Sequence, residues 1–188
     1  MLILASNSPR RRELLKGAGY KFKVIPAQNE ELVPALKPEA AAIETAKAKA
    51  LEVAAKHPRD VILAADTIVV LNGEIMNKPE DESDAFRMLK ALSGVRHTVI
   101  TGVVVIKGGR LKAFRQRTSV EFYELSDGLI KAYIKTDEPF DKAGAYGIQE
   151  KGALLVKGLR GDYFNVMGLP VAKTAMVLKE FGISPDWV

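Results

Sequence analysis

Apolar residues along this 188-residue chain follow two patterns: short β-branched runs, and longer stretches in which they recur at helical spacing. The helical pattern is clearest from Pro38 to Lys56, where apolar positions lie three or four residues apart: Ile43, Ala46, Ala50 and Val53. The strand pattern is clearest in "VILAADTIVVL", Val61 to Leu71. The chain therefore contains both helices and strands.

The same patterns predict the remaining elements. We expect further strands over residues 2–5, 22–25, 97–106, 111–123 and 153–156. We expect one further helix to begin at Pro9 after a Ser8 cap. Others should cover residues 81–93 and 126–134, and the last should begin near Pro170. A loop with Glu30 and Glu31 follows the second strand.

Helices and strands alternate, which favours parallel strands joined by helices. Two predicted hairpins interrupt this alternation, one at Asn72-Gly73 before "EIM" and one at "KGGR". The predicted fold class is therefore α/β, with a mixed β-sheet flanked by helices. We expect a single domain over residues 1–188, and its hairpin-rich middle allows two lobes with a cleft.

Composition narrows the class of protein. The net charge is +5, which permits an anionic partner such as a nucleotide, a nucleic acid or an acidic surface without choosing among them. The chain has no cysteine, so disulfides, thiolate metal sites and a cysteine nucleophile are excluded. The sequence carries no signal-peptide pattern and no run of about 20 apolar residues. We expect a cytoplasmic protein with no membrane partner.

The segment "SNSPRRR" contradicts a preference of helices, because Arg10, Arg11 and Arg12 occupy a first turn where the helix dipole is positive. A phosphate would reverse this cost, since arginine side chains, serine hydroxyls and free backbone N–H groups would converge on one anion. The alternative is a solvated arginine patch, and spacing alone does not choose. If the first interpretation is right, removing Arg10 or Arg11 should leave the unliganded protein equally or more stable.

Asp66 is the second unusual position, because it interrupts an apolar run that should be buried. An ionised carboxylate there needs a partner, a hydrogen bond or a metal ion. At a strand end it could bind Mg²⁺ or act as a base on water. The alternative is an aspartate that caps the next turn.

Weaker signals lie elsewhere. Lys78 is the cation of the acidic segment "NKPEDE", and Lys47 and Lys49 both flank the apolar stripe of the long helix. The glycine-rich segment "DKAGAYGIQ" ends in Gln149, whose amide can pair with a base. Taken alone, each is better explained by a surface loop or a solvated helix face. His97 has no metal-spaced partner, and we interpret it as structural.

Five segments together resemble the Maf family, whose members are nucleoside triphosphate pyrophosphatases with a Maf/inosine-triphosphatase-like fold. They occur in order over nearly the whole chain: "LASNSPRR", "AADTIVVLNGEIMNKP", "LSGVRHTVITG", "EPFDKAGAYGIQ" and "GDYFNVMGLP". The resemblance implies hydrolysis between the α- and β-phosphates by attack of water on the α-phosphorus. The products are a nucleoside monophosphate and pyrophosphate. It also implies a divalent cation, Mg²⁺ or Mn²⁺.

The resemblance assigns roles to particular residues. Asp66 matches the proton acceptor, and the metal ligands would be Asp66 and Glu31. The substrate-binding positions would be Ser6, Arg10, Arg11, Lys49 rather than Lys47, Thr67, Lys78 and Gln149. Three of these, Arg10, Thr67 and Gln149, match positions tied to substrate selectivity. The "AGAYGIQ" form is similar to members that act on dTTP and UTP, as opposed to 7-methyl-GTP.

Two other classes remain open from the sequence. A regulator would bind nucleotide without hydrolysing it, although the intact Asp66 argues against this. A basic nucleic-acid-binding module would be retained on DNA or RNA with a strong dependence on salt. We expect a nucleoside triphosphate substrate and no nucleic-acid partner, and the sequence leaves open whether the protein forms a homodimer.

Overall fold

The structure, a computed structural model, describes residues 1–28 and 37–188. The strands of this part are β1 Leu2–Leu4, β2 Lys23–Val24, β3 Val61–Leu71, β4 Glu74–Met76, β5 Arg96–Lys107, β6 Arg110–Phe122 and β7 Val156–Arg160. Its α-helices are α1 Pro9–Gly17, α2 Pro38–Lys56, α3 Glu82–Leu92, α4 Asp127–Ile134, α5 Tyr163–Met167 and α6 Val171–Glu180. Short 3₁₀ helices cover Glu138–Asp141, Ala143–Ala145 and Glu150–Leu155. No helix in the described ranges is long and apolar enough to cross a membrane.

The seven strands form one sheet, in which the neighbours follow the order β2, β1, β3, β5, β6 and β7, with β4 paired to β3. β1 runs parallel to β2 and to β3. β4 runs antiparallel to β3, and β7 runs antiparallel to β6. The sheet is therefore mixed, and the predicted fold class is confirmed.

Local capping signals explain where two helices begin. The Ser8 side chain accepts a hydrogen bond from the Arg11 N–H, and Pro9 occupies the first position of α1. The Asp81 carboxylate accepts from the Asp84 N–H at 2.7 Å and starts α3 in the same way. Both helices begin within a residue of the predicted position.

The first predicted hairpin also forms for a local reason. Asn72 and Gly73 both have positive φ, 52° and 87°, as the two central residues of a type I′ turn require. This turn matches the right-handed twist of paired strands, so β4 returns antiparallel along β3.

The predicted strand over 153–156 is wrong. Glu150–Leu155 forms a 3₁₀ helix, and β7 begins at Val156. A Cβ atom on Gly152 would lie 2.0 Å from the carbonyl oxygen of Gly147, so two stretches of backbone touch at this point. A chain folded back this tightly cannot be extended, although its apolar residues suggested a strand.

The short helix α5 was not predicted. The Asp162 carboxylate accepts hydrogen bonds from the N–H groups of Phe164 and Asn165, at 2.8 and 3.2 Å, which is a capping arrangement. The segment "GDYFN" carries this signal, but the helix is too short to show apolar periodicity.

The chain divides into two compact units. Unit 1 consists of residues Met1–Asp66, Thr101–Gln116 and Gly168–Val188, and unit 2 consists of Thr67–Ile100 and Arg117–Met167.

In unit 1, the sheet is buried on both faces. Alternate residues of its strands pack into two apolar clusters. One cluster contains Leu2, Leu4, Leu63 and Val103 with Leu15 of α1 and Leu178 of α6. The other contains Ile3, Ile62 and Val104 with Ala46 and Ala50 of α2. Cover on both faces explains why β3 begins as a continuous apolar run.

Small residues allow α2 to lie directly on the sheet. A Cβ atom on Gly102 of β5 would be 2.4 Å from the carbonyl oxygen of Ala42, so backbone meets backbone at this contact. Alanines of the same face are fully buried, among them Ala46 and Ala50. The alanine-rich sequence therefore fixes how closely α2 approaches the strands.

In unit 2, His97 lies in a buried aromatic group. Its Nε2 is 2.7 Å from the Tyr146 hydroxyl, and the rings of Phe122 and Tyr146 meet the imidazole edge-on, with centroids 5.0 and 5.3 Å away. Burial lowers the pKa of His97 to about 4, because apolar surroundings disfavour the charged ring. A neutral, packed imidazole agrees with the structural role that the sequence indicates, and it anchors Tyr146 of the "AGAYGIQ" segment.

This burial predicts a loss of stability in mild acid. The pKa of His97 is about 4 in the folded protein against 6.5 for an unperturbed histidine. As the pH falls, the unfolded chain therefore takes up a proton before the folded protein does, and this favours unfolding. The free energy of unfolding should be undiminished above pH 6.5 and should fall by up to about 3 kcal/mol on acidification to pH 4. Urea unfolding at several pH values measures it.

His97→Phe should flatten this slope, since the titrating group is removed. His57→Gln is the matched control, because His57 is only half-buried, and it should keep the wild-type slope. Equal slopes in the wild type and His97→Phe would contradict the prediction.

Candidate active site

The parallel strands β1 and β3 bring two predicted residues to one level of the sheet in unit 1. Leu4 pairs with Leu63, and the Ala5 N–H donates to the Leu63 carbonyl at 2.8 Å. Continued by two residues, this register brings Ser6 level with the residue before Asp66. Ligands of α/β sheets bind beyond the carboxyl ends of parallel strands, which is where Ser6 lies.

Asp66 lies inside β3 and not at a strand end, so that part of the sequence hypothesis is wrong. β3 continues to Leu71, and both Asp66 and Thr67 are half-buried between buried neighbours. A role for Asp66 as the cap of a following turn does not fit this position. A carboxylate within a strand needs a partner from another element.

Lys49 of α2 supplies this partner. Its Nζ lies 2.8 Å from Oδ1 of Asp66, and the two side chains are only 9% and 15% exposed. Lys49 belongs to the buried face of α2, together with Ala46 and Ala50, so it replaces an apolar residue there. Removal of one member of such a pair leaves a buried charge unpaired, which costs about 3–5 kcal/mol.

The structure separates Lys49 from Lys47, which the apolar pattern could not do. Lys47 is 42% exposed, and its Nζ pairs with Glu44 at 3.5 Å. Of the two lysines, Lys49 is therefore the one beside the candidate catalytic carboxylate.

Arg11 is buried and holds three segments of unit 1 together. Its Nε donates to the Gly168 carbonyl at 2.8 Å, and its Nη1 donates to Oγ of Ser6 at 3.0 Å. The same Ser6 oxygen accepts from the Ser8 N–H at 3.2 Å. The guanidinium thus connects the start of α1, the chain after β1 and the segment before α6. Gly168 was not among the predicted site residues, although the "VMGLP" segment contains it.

The expectation that the arginines are unfavourable without a ligand is wrong for Arg11, because its Nε and Nη1 donate to acceptors inside the protein. Arg12 is exposed, and its Nη2 donates to the Asn7 carbonyl at 2.9 Å. Arg10 is half-buried. The positive start of α1 therefore tolerates these cations partly through carbonyl and hydroxyl acceptors.

In unit 2, the segment of Lys78 meets the segment of Gln149. The Gly144 N–H donates to the Asn77 carbonyl at 3.0 Å. A Cβ atom on Gly144 would lie 3.0 Å from both γ-carbons of Val69, so this turn rests on the β3–β4 hairpin. Lys78 is exposed and Gln149 is half-buried.

Backbone strain is concentrated in the same segment. Among the described residues, three non-glycine residues with positive φ lie here: Asp137, Ala145 and Glu150, at 59°, 60° and 51°. The left-handed region costs an L-residue about 1–2 kcal/mol. Strain of this kind is often found at functional sites, which supports a functional role for this segment.

Lys78 also lines a pocket of about 580 Å³ between the hairpin and α3. Its lining includes the carboxylates of Glu74, Glu80, Asp81 and Asp84. Arg87 also lines it, and its guanidinium pairs with Asp84. The excess of negative charge makes this pocket unsuitable for a triphosphate.

The metal site stays a prediction. Asp66 fits a hard cation by its chemistry, since carboxylate oxygens are the donors that Mg²⁺ and Mn²⁺ prefer. Glu31, the other predicted ligand, lies outside the described residues. Within residues 1–28 and 37–188, no three His, Asp or Glu side chains gather as a metal-binding group.

The mixed sheet with flanking helices is a known architecture. The solved structure of a HAM1 protein from Coxiella burnetii is 15% identical, with a TM-score of 0.54 over 95% of this chain and 98% of that one. At this identity the similarity shows the fold alone.

The chain belongs to the family described as "Maf: Maf-like protein", whose sequence model matches residues 1–181. The dTTP/UTP pyrophosphatase of Carboxydothermus hydrogenoformans is 50% identical over 183 residues, which cover 96% of this chain and 98% of that protein. The dTTP/UTP pyrophosphatase of Pyrococcus furiosus is 51% identical over 171 residues, 90% of each chain. The resemblance inferred from the sequence is confirmed.

Arg11→Ala should destabilise the unliganded protein. The buried oxygens of Ser6 and Gly168 would lose a charged donor, so the free energy of unfolding should fall by about 1.5–3 kcal/mol. Arg12→Ala is the matched control, since this side chain is exposed, and its effect should stay within about 0.5 kcal/mol. Urea denaturation without ligand measures both. A variant Arg11→Ala as stable as the wild type would show that these hydrogen bonds contribute little.

Proposed function

We propose that this protein hydrolyses nucleoside triphosphates to nucleoside monophosphates and pyrophosphate, with dTTP and UTP as preferred substrates. The observation that carries the proposal is the buried pair of Lys49 and Asp66 in unit 1, the unit that also contains Ser6 and Arg11. The names of the relatives support the same activity and the same substrates.

The proposed phosphate-binding residues are those of the β1–α1 turn and two lysines, Lys49 and Lys78. In the proposal, Ser6, Arg10 and Arg11 bind phosphate oxygens beside the N–H groups at the start of α1. Lys49 and Lys78 stabilise the negative charge that develops on the leaving pyrophosphate. Arg11 has a second task, because its hydrogen bonds to Ser6 and Gly168 fix the shape of the turn.

Asp66 acts as the base in this mechanism. Its carboxylate orients a water molecule and takes a proton from it, while the water oxygen forms a bond to the α-phosphorus. The bond between that phosphorus and the oxygen bridging to the β-phosphate breaks, and its electrons leave with pyrophosphate. Lys49 holds Oδ1 of Asp66, so the carboxylate keeps one orientation during this step.

A divalent cation completes the proposal. Asp66 and Glu31 are the residues that would hold Mg²⁺ or Mn²⁺. When bound, such an ion supplies charge neutralisation on the phosphates and lowers the pKa of a coordinated water.

In the proposal, Gln149 and Thr67 of unit 2 recognise the base. Thymine and uracil present acceptor, donor and acceptor groups at O2, N3–H and O4, and one amide can pair with N3–H and a neighbouring carbonyl. Cytosine has an acceptor at N3 and a donor at N4, so the same amide would leave groups unpaired. A site that hydrogen-bonds its substrate rejects such analogues strongly.

Asp66→Asn should lower kcat by roughly 10²–10⁴-fold while circular dichroism stays that of a folded protein, because an amide cannot accept the proton. Asp60→Asn is the matched control. Asp60 lies in the same unit and pairs with the N-terminal amine at 3.1 Å, so turnover should be unchanged. Pyrophosphate release with Mg²⁺ or Mn²⁺ measures both. Near-normal turnover of a folded Asp66→Asn variant would overturn the assignment.

The substrate order should be dTTP and UTP first, CTP weaker, and purine triphosphates weaker still. Gln149→Ala should flatten this preference more than it lowers the rate on the poorest substrate, and the exposed Lys151→Ala in the same loop should not. Competition assays of kcat/KM decide the order. Preference of the wild type for GTP or 7-methyl-GTP would show that the assignment of the base site is wrong.

Nucleotide binding without pyrophosphate release would favour a regulator instead, and salt-dependent retention on DNA or RNA would favour a nucleic-acid-binding module.

A further inference from the structure

The loop of residues 147–152, which carries Gln149, is closed at its base by two glycines. A Cβ atom on Gly152 would lie 2.0 Å from the Gly147 carbonyl oxygen, so the two ends of the loop touch through their backbones. Gln149 lies between them, immediately before the 3₁₀ helix Glu150–Leu155. In the described structure its side chain makes no capping hydrogen bond to that helix.

Two side chains from outside the loop hold both of these glycines. The Tyr133 hydroxyl of α4 accepts from the Gly147 N–H at 3.1 Å and donates to Oε1 of Glu138 at 2.9 Å. The same Glu138 oxygen accepts from the Gly152 N–H at 3.2 Å. Tyr133 and Glu138 therefore form a clamp, one hydroxyl and one carboxylate oxygen, across the base of the loop.

The clamp is itself firmly supported. Tyr133 is only 4% exposed and packs in the apolar core of unit 2 with Ile130 and Ile134. Burial, together with the neighbouring Glu138, raises the pKa of Tyr133, so the hydroxyl keeps its proton and remains a donor. The Nζ of Lys142 donates to the Glu138 carbonyl at 2.6 Å and fixes the backbone on which the carboxylate stands.

The loop needs such a clamp because its own backbone is strained. Glu150, next to Gln149, has a φ of 51°, a region that L-residues avoid. Residues in such conformations persist only where their surroundings determine them. The two amide hydrogen bonds at the loop base are constraints of this kind.

We propose that Tyr133 and Glu138 are positioning residues for Gln149, and that by holding the 147–152 loop closed they set the nucleobase selectivity of the enzyme. This inference rests on the proposed function, in which Gln149 pairs with thymine or uracil. An amide discriminates between uracil and cytosine only if its orientation is fixed, because a mobile amide can rotate to satisfy either base. The clamp supplies that fixation without touching the substrate.

The central experiment compares Tyr133→Phe with the wild type in kcat/KM for dTTP and for CTP. Loss of the hydroxyl should lower the ratio of the two values by roughly 5–30-fold, mainly through a higher KM for dTTP. The rate on CTP should change little. Tyr123→Phe is the matched control, because Tyr123 lies in the same unit with 54% of its surface exposed, and it should keep the wild-type ratio.

The carboxylate is tested by a conservative and a disruptive variant. Glu138→Gln keeps an oxygen that can accept from Tyr133 and Gly152, so this variant should keep most of the wild-type selectivity. Glu138→Ala removes the acceptor and should lower the ratio as Tyr133→Phe does. Amide hydrogen exchange at Gly147 and Gly152 should be faster in Tyr133→Phe and Glu138→Ala, whether or not the protein turns over substrate.

A double-mutant cycle separates positioning from general stability. In a Gln149→Ala background, Tyr133→Phe should cause no further loss of selectivity, since the group that it positions is absent. An additive loss would overturn the proposal, and so would a Tyr133→Phe variant that keeps its selectivity or loses activity equally on every substrate.

These results would leave the proposed function intact. A wild type that releases no pyrophosphate, or that does not prefer dTTP and UTP, would overturn the proposed function and this inference with it.

Discussion

The ion pair of Lys49 and Asp66 is the interaction on which the arrangement of unit 1 depends. Leaving either charge unpaired at 9% and 15% exposure would cost about 3–5 kcal/mol, so the pair favours one register of helix α2 against strand β3. That register is available because Gly102 and the alanines of α2 let the helix lie against the sheet. A well-packed apolar pair of the same volume would often be as stable or more stable. The charges are therefore better explained by chemistry than by stability.

Much of the fold was predictable because its signals are local. Capping by Ser8 and Asp81 and the Asn72-Gly73 turn depend on neighbouring residues, and all three lie where the sequence indicates. The strand predicted at 153–156 failed because the contact of Gly152 with Gly147 is set by close approach of backbone, which apolar patterning does not report.

The candidate site was predictable in its residue types and less so in its contacts. Apolar periodicity left Lys47 and Lys49 equivalent, because the partner of Lys49 belongs to a strand far along the chain. The helix alone predicts that Arg11 is unfavourable at its start, whereas the acceptor of Arg11 on Gly168 is separated from it by 157 positions. Long-range acceptors of this kind leave no periodic trace in a sequence.

The two units place their candidate residues by different physical means, and the difference suits the proposed tasks. In unit 1, the candidate residues are held by contacts of charged groups, as in Lys49 with Asp66 and in Arg11, which donates to Ser6. Such groups suit phosphate, which is bound through charge-assisted hydrogen bonds. In unit 2, the Tyr133 hydroxyl and the Glu138 carboxylate accept hydrogen bonds from the backbone of a strained loop that carries an amide. Discrimination among nucleobases depends on the direction of donors and acceptors, so the amide that recognises the base needs a fixed orientation.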